Sequence, residues 1–223
     1  MKKSLFFSAI FKFLLGVVLV GVLIFLPAGT LQYPGAWLLM GILFVPMFLA
    51  GLVMLAKNPA LLESRLKVKE QQREQNLVVK LSGLMFLLGF VMAGLGVRFG
   101  WYQLPAGVRY GAAVAFLCAY GLYAEVLREN TYLSRTIEVQ EGQQVVDTGL
   151  YGLVRHPMYS ATLLLFLSMP LVLGSVYSFV IFLAYPAIII ARLKHEEAYL
   201  SKELPGYEAY LKKVRYRLVP FIW

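Results

Sequence analysis

The sequence predicts an all-α protein, a polytopic bundle that crosses a membrane about six times, and three observations carry that expectation. Of 223 residues 60% are apolar and the mean hydropathy is +0.70. The apolar residues lie in blocks, and roughly 20 apolar residues span the hydrocarbon core of a bilayer. The Lys and Arg residues fall almost entirely between alternate blocks. An unpaired backbone group in lipid costs several kcal/mol, which leaves helices or closed barrels. These blocks are too long and too continuously apolar for barrel strands, so helices are expected.

The first block runs from about Phe6 to Ala28, with Lys12 near enough to its start to snorkel back to the headgroups. Met1-Lys2-Lys3 ahead of it also resembles a secretory signal, but the run exceeds a typical signal core and Pro27-Ala-Gly lacks a small-x-small cleavage site. A second block, Trp37 to Ala56, contains Pro46, which removes a backbone donor and predicts a bend. Leu77 to Val97 and Val108 to Leu127 form the third and fourth, and Gly89 and Gly94 read as points of close helix approach. The last apolar region, Met158 to Ala191, is too long for one span and is broken near its middle by Pro170 and Leu173-Gly-Ser175. It reads as a helical hairpin whose arms do not both cross fully.

Placing the connections alternately on two sides puts 19 of the 21 Lys and Arg on one side, leaving Arg98 and Arg109 on the other. That asymmetry predicts six segments with both termini cytoplasmic in the cytoplasmic or inner membrane. The net charge of +9 then reflects positive-inside bias and attraction to anionic lipid, with no reason to invoke nucleic acid. Tyr33, Trp37, Trp101, Tyr102 and Trp223 fall near the expected boundaries, as interfacial aromatics do. The connector Asn58 to Asn76 carries Leu61, Leu62 and Leu66 among Arg65, Lys67 and Lys69, a charged linker able to lie on the membrane.

Several chemistries lack their residues. Cys118 is the sole cysteine, so no intrachain disulfide or multi-cysteine metal site forms, and its apolar setting reads as packing. His156 and His195 are the only imidazoles and stand in no metal-ligand spacing, so no metal is expected. The glycines from Gly83 to Gly100 sit inside an apolar span and form no dinucleotide fingerprint, and neither a phosphate-binding loop nor a serine-hydrolase elbow occurs.

Polar chemistry concentrates after the fourth segment. Tyr151-Gly-Leu-Val-Arg-His-Pro-Met-Tyr159 is a compact polar knot between apolar stretches. Gly149 and Gly152 permit tight backbone geometry, and Pro157 fits the first turn of a helix. Its amides, with Arg155, could receive an anion, or the knot could satisfy only its own groups. A second cluster, Arg192-Leu-Lys-His-Glu196-Glu197, leaves the final apolar arm with Arg192 and Glu196 four apart. Ionisable groups at a membrane edge favour a functional reading over helix stabilisation alone. Farther on, Tyr207 and Tyr210 recur three apart after the Pro205-Gly206 turn, compatible with one helical face.

Those elements resemble, in kind and order, the isoprenylcysteine carboxyl methyltransferase family in its broader bacterial and archaeal form. The resemblance covers about Asn130 to Pro220: Gly149-Leu-Tyr-Gly-Leu-Val-Arg-His-Pro-Met-Tyr159, Arg192-x-x-x-Glu196-Glu197, Tyr207-x-x-Tyr210 and the basic segment ending at Pro220. Asn58-Pro-x-Leu-Leu-x-x-Arg65 is a weaker likeness to a connector of prokaryotic relatives. Leu150 stands where a proline is frequent, and Ala161 where a glycine is common.

The resemblance implies methyl transfer from S-adenosylmethionine, in a pocket built by the C-terminal half at the cytoplasmic membrane edge. It implies that Tyr151, His156, Pro157, Tyr159, Tyr207 and Tyr210 line the cofactor side. Arg192, Glu196, Glu197 and Arg155 are carried over as the polar groups toward the acceptor. Residues 1–127 would form a four-segment membrane region and residues 128–223 the methyltransferase-like region, within one integrated domain. A lipophilic or membrane-associated acceptor is expected, a carboxylate or a prenylated thiol compound, since it enters sideways from the bilayer lipids while the polar cofactor arrives from water. Three alternatives stand beside this: a phospholipid or amine methyltransferase, a sterol-reductase-like enzyme using NADPH, and a non-enzymatic transporter or assembly protein.

Overall fold

Helices follow from the apolar blocks almost one for one. The computed structural model describes residues 2–66, 73–133 and 137–223. Lys67, Lys69 and Arg135, counted above among the basic residues, lie outside the described residues. The elements are α1 (Lys2–Ala28), α2 (Pro34–Lys57), α3 (Pro59–Leu66), α4 (Arg73–Arg98), α5 (Ala106–Glu129), α6 (Gly149–Leu153), α7 (Pro157–Val172), α8 (Val176–Phe182), α9 (Ala184–Glu203) and α10 (Tyr207–Lys213). Among the described residues there is no strand, only the isolated bridges Gln103 to Ser175 and Val154 to Tyr216.

By length and composition five stretches can cross a membrane: Leu5–Ala28, Pro34–Lys57, Asn76–Arg98, Ala106–Glu129 and Val176–Glu203. The expected hairpin is present, with α7 as its shorter arm of 16 residues. Gly174, at φ +77°, makes the turn between the arms, and Ser175 caps α8 by accepting from the Ser178 amide. Pro46 does not end α2. The Tyr120 hydroxyl of α5 donates to the Leu43 carbonyl at 2.8 Å, beside the carbonyl that the proline leaves without its helical donor.

The bundle alternates direction. At one end Tyr33 donates its hydroxyl to the Leu173 carbonyl (2.7 Å) and the Leu104 amide donates to the Gly174 carbonyl (2.8 Å), so the α1–α2, α4–α5 and α7–α8 connections meet. Arg98 and Arg109 lie there, against Gly29 and Gly174. The opposite end gathers the last turn of α5, α6, the start of α7, the end of α9 and α10, through contacts described below. Lys12, rather than only snorkelling, donates to the Leu66 carbonyl at 2.7 Å and ties α3 to α1.

The core is small and shared by the helices: Ile24, Leu39, Phe116, Leu173, Phe182 and Leu193 are its largest fully buried members. Apolar side chains such as Phe11, Val18, Val45, Val53 and Val114 cover the outside, as suits a lipid-facing surface. Cys118 lies on that outer face of α5 instead of in the packed interior, because the α5 positions turned inward are Ala112, Phe116 and Ala119. Gly94 and Gly89 act as expected. A Cβ on Gly94 would collide with the Ile24 carbonyl of α1, and one on Gly89 with the Phe182 ring of α8.

Gly94→Val is therefore expected to destabilise the protein by about 1–3 kcal/mol through overpacking. Gly111→Ala, whose added Cβ meets nothing within 4 Å, should not lower the thermal midpoint in detergent.

Candidate active site

The knot is held by the chain's own groups. Gly149 takes φ +54°, and a Cβ there would overlap the Glu129 carboxylate. That carboxylate, at the end of α5, accepts the Leu150 amide with both oxygens, at 3.1 and 2.9 Å. An anion thus sits at the start of α6, and it is a side chain of the protein itself. Beyond α6 the backbone runs extended at Val154, which bridges Tyr216 in parallel. The Arg155 amide donates to the Tyr216 carbonyl (2.8 Å) and the His156 amide to the Arg217 carbonyl (2.9 Å), after which Pro157 opens α7. These amides, open to an external anion on the sequence alone, are therefore already satisfied.

Behind the knot the buried Glu197 of α9 gathers three groups. Arg155 Nη1 donates to Oε1 at 3.2 Å, His156 Nε2 lies 3.2 Å from the same oxygen, and Arg217 Nε donates to Oε2 at 3.0 Å. Arg155 also donates through Nε to the Val214 carbonyl (2.6 Å) and through Nη2 to the Leu211 carbonyl (2.8 Å). Its fork is spent on the fold, a charge-assisted clamp between the knot and the segment after α10.

One turn into α7 stands a separate polar group. The Tyr159 hydroxyl donates to a Glu196 oxygen and accepts from Arg192 Nε at 2.9 Å. The i,i+4 relation of Arg192 and Glu196 on α9 is thus bridged by a tyrosine of α7. His156 stacks near Tyr159, ring centres 5.6 Å apart and planes at 27°, and so joins this group to the Glu197 cluster. His195 points outward, on the exposed side of α9.

Gly206, at φ +86°, turns the chain into α10, whose Tyr207 and Tyr210 rings lie 5.6 Å apart. Tyr210 donates to the Tyr151 carbonyl at 2.8 Å. Burial first, then the nearby Glu196 and Glu197 carboxylates, pushes the Tyr207 hydroxyl well above its ordinary range; burial does the same to Tyr210. Both remain protonated donors across physiological pH.

A cleft of about 810 Å³, including its open mouth, lies between these groups. Arg192, Glu196, Tyr159 and Met158 form one end, and Leu200, Leu204, Tyr207 and Tyr210 one wall. Asn130, Tyr132, Glu138, Gln143 and Val145 come from the connection between α5 and α6. Of the residues expected at the site, Tyr151, Arg155, His156, Tyr159, Arg192, Glu196, Tyr207 and Tyr210 all line it. Pro157 and Glu197 do not line it: the first starts α7, and the second sits behind the wall holding Arg155 and His156.

Sequence reasoning missed three contributions. Arg217 stands in the sequence only as part of a basic segment, and neither Glu129 nor the cleft-lining residues between 130 and 146 carry a motif. Each acts through a contact far along the chain, and no local spacing marks it.

Residues 109–205 match the sequence model of the phospholipid methyltransferase family. The match takes in α5, the knot, the hairpin and the Arg192–Glu197 cluster, a little under half of the chain. A mouse protein described as Delta(14)-sterol reductase TM7SF2 is 31% identical over 91 residues, 40% of this chain and 22% of that protein. The chain therefore spans about a fifth of the length of this curated relative.

Removing the Glu197 carboxylate strands Arg155, His156 and Arg217 together. Glu197→Ala is expected to cost about 3–5 kcal/mol, as for a broken buried pair. The exposed Glu208→Ala should cost almost nothing by the same thermal measurement.

Proposed function

We propose that the protein is an integral membrane enzyme that transfers a methyl group from S-adenosylmethionine to a lipophilic or membrane-associated acceptor. The observation that carries this reading is the Tyr159, Glu196 and Arg192 group at the end of the cleft nearest the apolar core, where α7 enters the bundle. The family match, by its description, supports methyl transfer in a membrane setting.

The residues present suit this cofactor. A sulfonium is a cation, and the cleft offers it tyrosine faces and the Glu196 and Glu138 carboxylates. His156, Tyr159, Tyr207, Tyr210 and Tyr151 would hold it, and Pro157 would set the entry of α7 beneath them. S-adenosylmethionine supplies an already activated methyl group. The protein's own work is then positioning and the exclusion of water. Arg192 would hold a carboxylate acceptor, which needs no base because it is already anionic. For an amine or thiol, Glu196 would accept the acceptor's proton, with Tyr159 holding the carboxylate in place. Arg155 and Glu197 act from behind, by keeping His156 fixed.

The isoprenylcysteine subfamily, with its carboxylate acceptor, is the finer form of this proposal, and a phospholipid or amine acceptor fits the same cleft. We infer that the cleft and both termini are cytoplasmic, because the Lys and Arg among the described residues, Arg98 and Arg109 apart, fall toward its end of the bundle. Residues 1–127 and 128–223 then form one integrated domain, the first supplying the bundle and the second the chemistry.

The reductase relative favours a second reading, a nicotinamide enzyme. A phosphate-bearing cofactor needs uncommitted cations, and among the described residues the cations lining the cleft are Arg155, clamped to Glu197 and two carbonyls, and Arg192, turned to Tyr159. This arrangement weighs toward the methyl donor.

The test uses purified protein in lipid nanodiscs, isotope-labelled S-adenosylmethionine, extracted lipids and prenylated small thiols, with mass identification of the product. Donor binding without NADPH binding is expected, together with methyl transfer. Glu196→Gln and Tyr159→Phe should each slow transfer by about 10²-fold or more; donor affinity should fall in the first, which removes a carboxylate from the sulfonium, and shift far less in the second, which keeps the ring face. An absence of both donor binding and methyl incorporation would overturn the proposal.

A further inference from the structure

The residues after the knot's partner segment end in a feature that the cleft does not use. Phe221 holds φ +65°, the sole non-glycine residue with positive φ among the described residues, and is 87% exposed. Ile222 beside it is 79% exposed. A bulky side chain rarely adopts this backbone region, and two large apolar groups held outward in water gain nothing by it. The turn is nevertheless well closed. The Leu218 and Val219 amides both donate to the Trp223 carbonyl, at 2.9 and 3.0 Å, and Arg217 lies over the Trp223 ring at 5.3 Å.

Its position says what covers it. Leu218 is buried in the bundle core with Trp223 packed against it, and the Leu218 carbonyl accepts from Ser160 in the first turn of α7. The turn therefore lies at the edge where α7 enters the apolar bundle, level with the knot. Val219, also exposed, extends the apolar surface within the turn. Lys212 and Arg215, also exposed, precede it in the chain, cations of the kind that meet lipid phosphates, while Lys213 between them pairs with Asp147 at 2.5 Å.

We propose that the Val219–Trp223 turn seats Phe221 and Ile222 in the headgroup and upper acyl region of an anionic leaflet, and that this seat braces the knot. The brace is the run Tyr216, Arg217 and Leu218. Its carbonyls accept the amides of Arg155 and His156 and the hydroxyl of Ser160, while the Arg217 side chain holds Glu197. Lipid contact outside is thereby linked to the backbone that carries His156 inside. The inference does not rest on the methyl-transfer reading, since it concerns the seat and the backbone alone.

The experiment uses the full chain with Cys118→Ser and Ile222→Cys, labelled at residue 222 with an environment-sensitive fluorophore, in nanodiscs with and without anionic lipid. The expected result is blue-shifted emission, quenched by headgroup-nitroxide lipid and shielded from aqueous iodide, more strongly with anionic lipid. In parallel, Phe221→Asp combined with Ile222→Asp on the native background should speed hydrogen exchange at the Arg155 and His156 amides about tenfold, since opening free energy sets exchange. Phe221→Leu should leave exchange unchanged. A label fully open to iodide, a label shielded from iodide and lipid alike by a second copy of the chain, or unchanged exchange in the double variant would each overturn the proposal.

Discussion

The Glu197 carboxylate joins three parts of the chain and ties the helix that carries it to a knot and a segment already bridged by their backbones. Arg155 and His156 come from the knot, Arg217 from the segment after α10, and Glu197 itself from the hairpin's returning arm. A carboxylate drawn out of water is unfavourable unless its lone pairs are filled, and here they are filled from three directions. Because the penalty falls on all the partners if any one withdraws, the cluster specifies one relative placement of knot, helix and strap. Everything in the cleft hangs on that placement. His156 is stacked toward Tyr159, Tyr159 bridges Glu196 and Arg192, and the tyrosines of α10 close over them.

The two polar groups divide the work. One is centred on Glu197, which is satisfied from within behind the cleft wall, and the other opens into the cleft. The adjacent acidic residues Glu196 and Glu197 look alike in sequence, yet successive helical positions lie on different faces and send them to different tasks. One holds the fold together, and its neighbour is presented to whatever enters. Such separation lets the reacting end be polar without loosening the frame.

Much of this was legible beforehand. Apolar block length set the helices, and the paired glycines in the third block marked where α4 meets α1 and α8. The hairpin followed from Pro170 and the Leu173-Gly-Ser175 break, because one run was too long for one crossing. Eight of the ten site residues proposed from sequence line the cleft. What stayed hidden was partner choice. The amides of Arg155 and His156 looked open to an anion, but carbonyls of Tyr216 and Arg217, some sixty positions away, take them. Cys118 was expected to pack inward, and it faces outward because in lipid an apolar setting no longer distinguishes core from surface. Sequence spacing reports what is near along a helix, and these contacts depend on tertiary closure.

The short arm of the hairpin has a consequence for the membrane itself. Sixteen helical residues rise about 24 Å, against a hydrocarbon thickness of about 30 Å, while α5 beside it has 24 residues. Yet α7 links the same two polar ends of the bundle, from the knot to the loop where Tyr33 meets Leu173. On that flank the short arm creates a local hydrophobic mismatch, of the kind that bilayer thinning or snorkelling flanks accommodate. Acyl chain length in the host bilayer thereby sets how large that mismatch is.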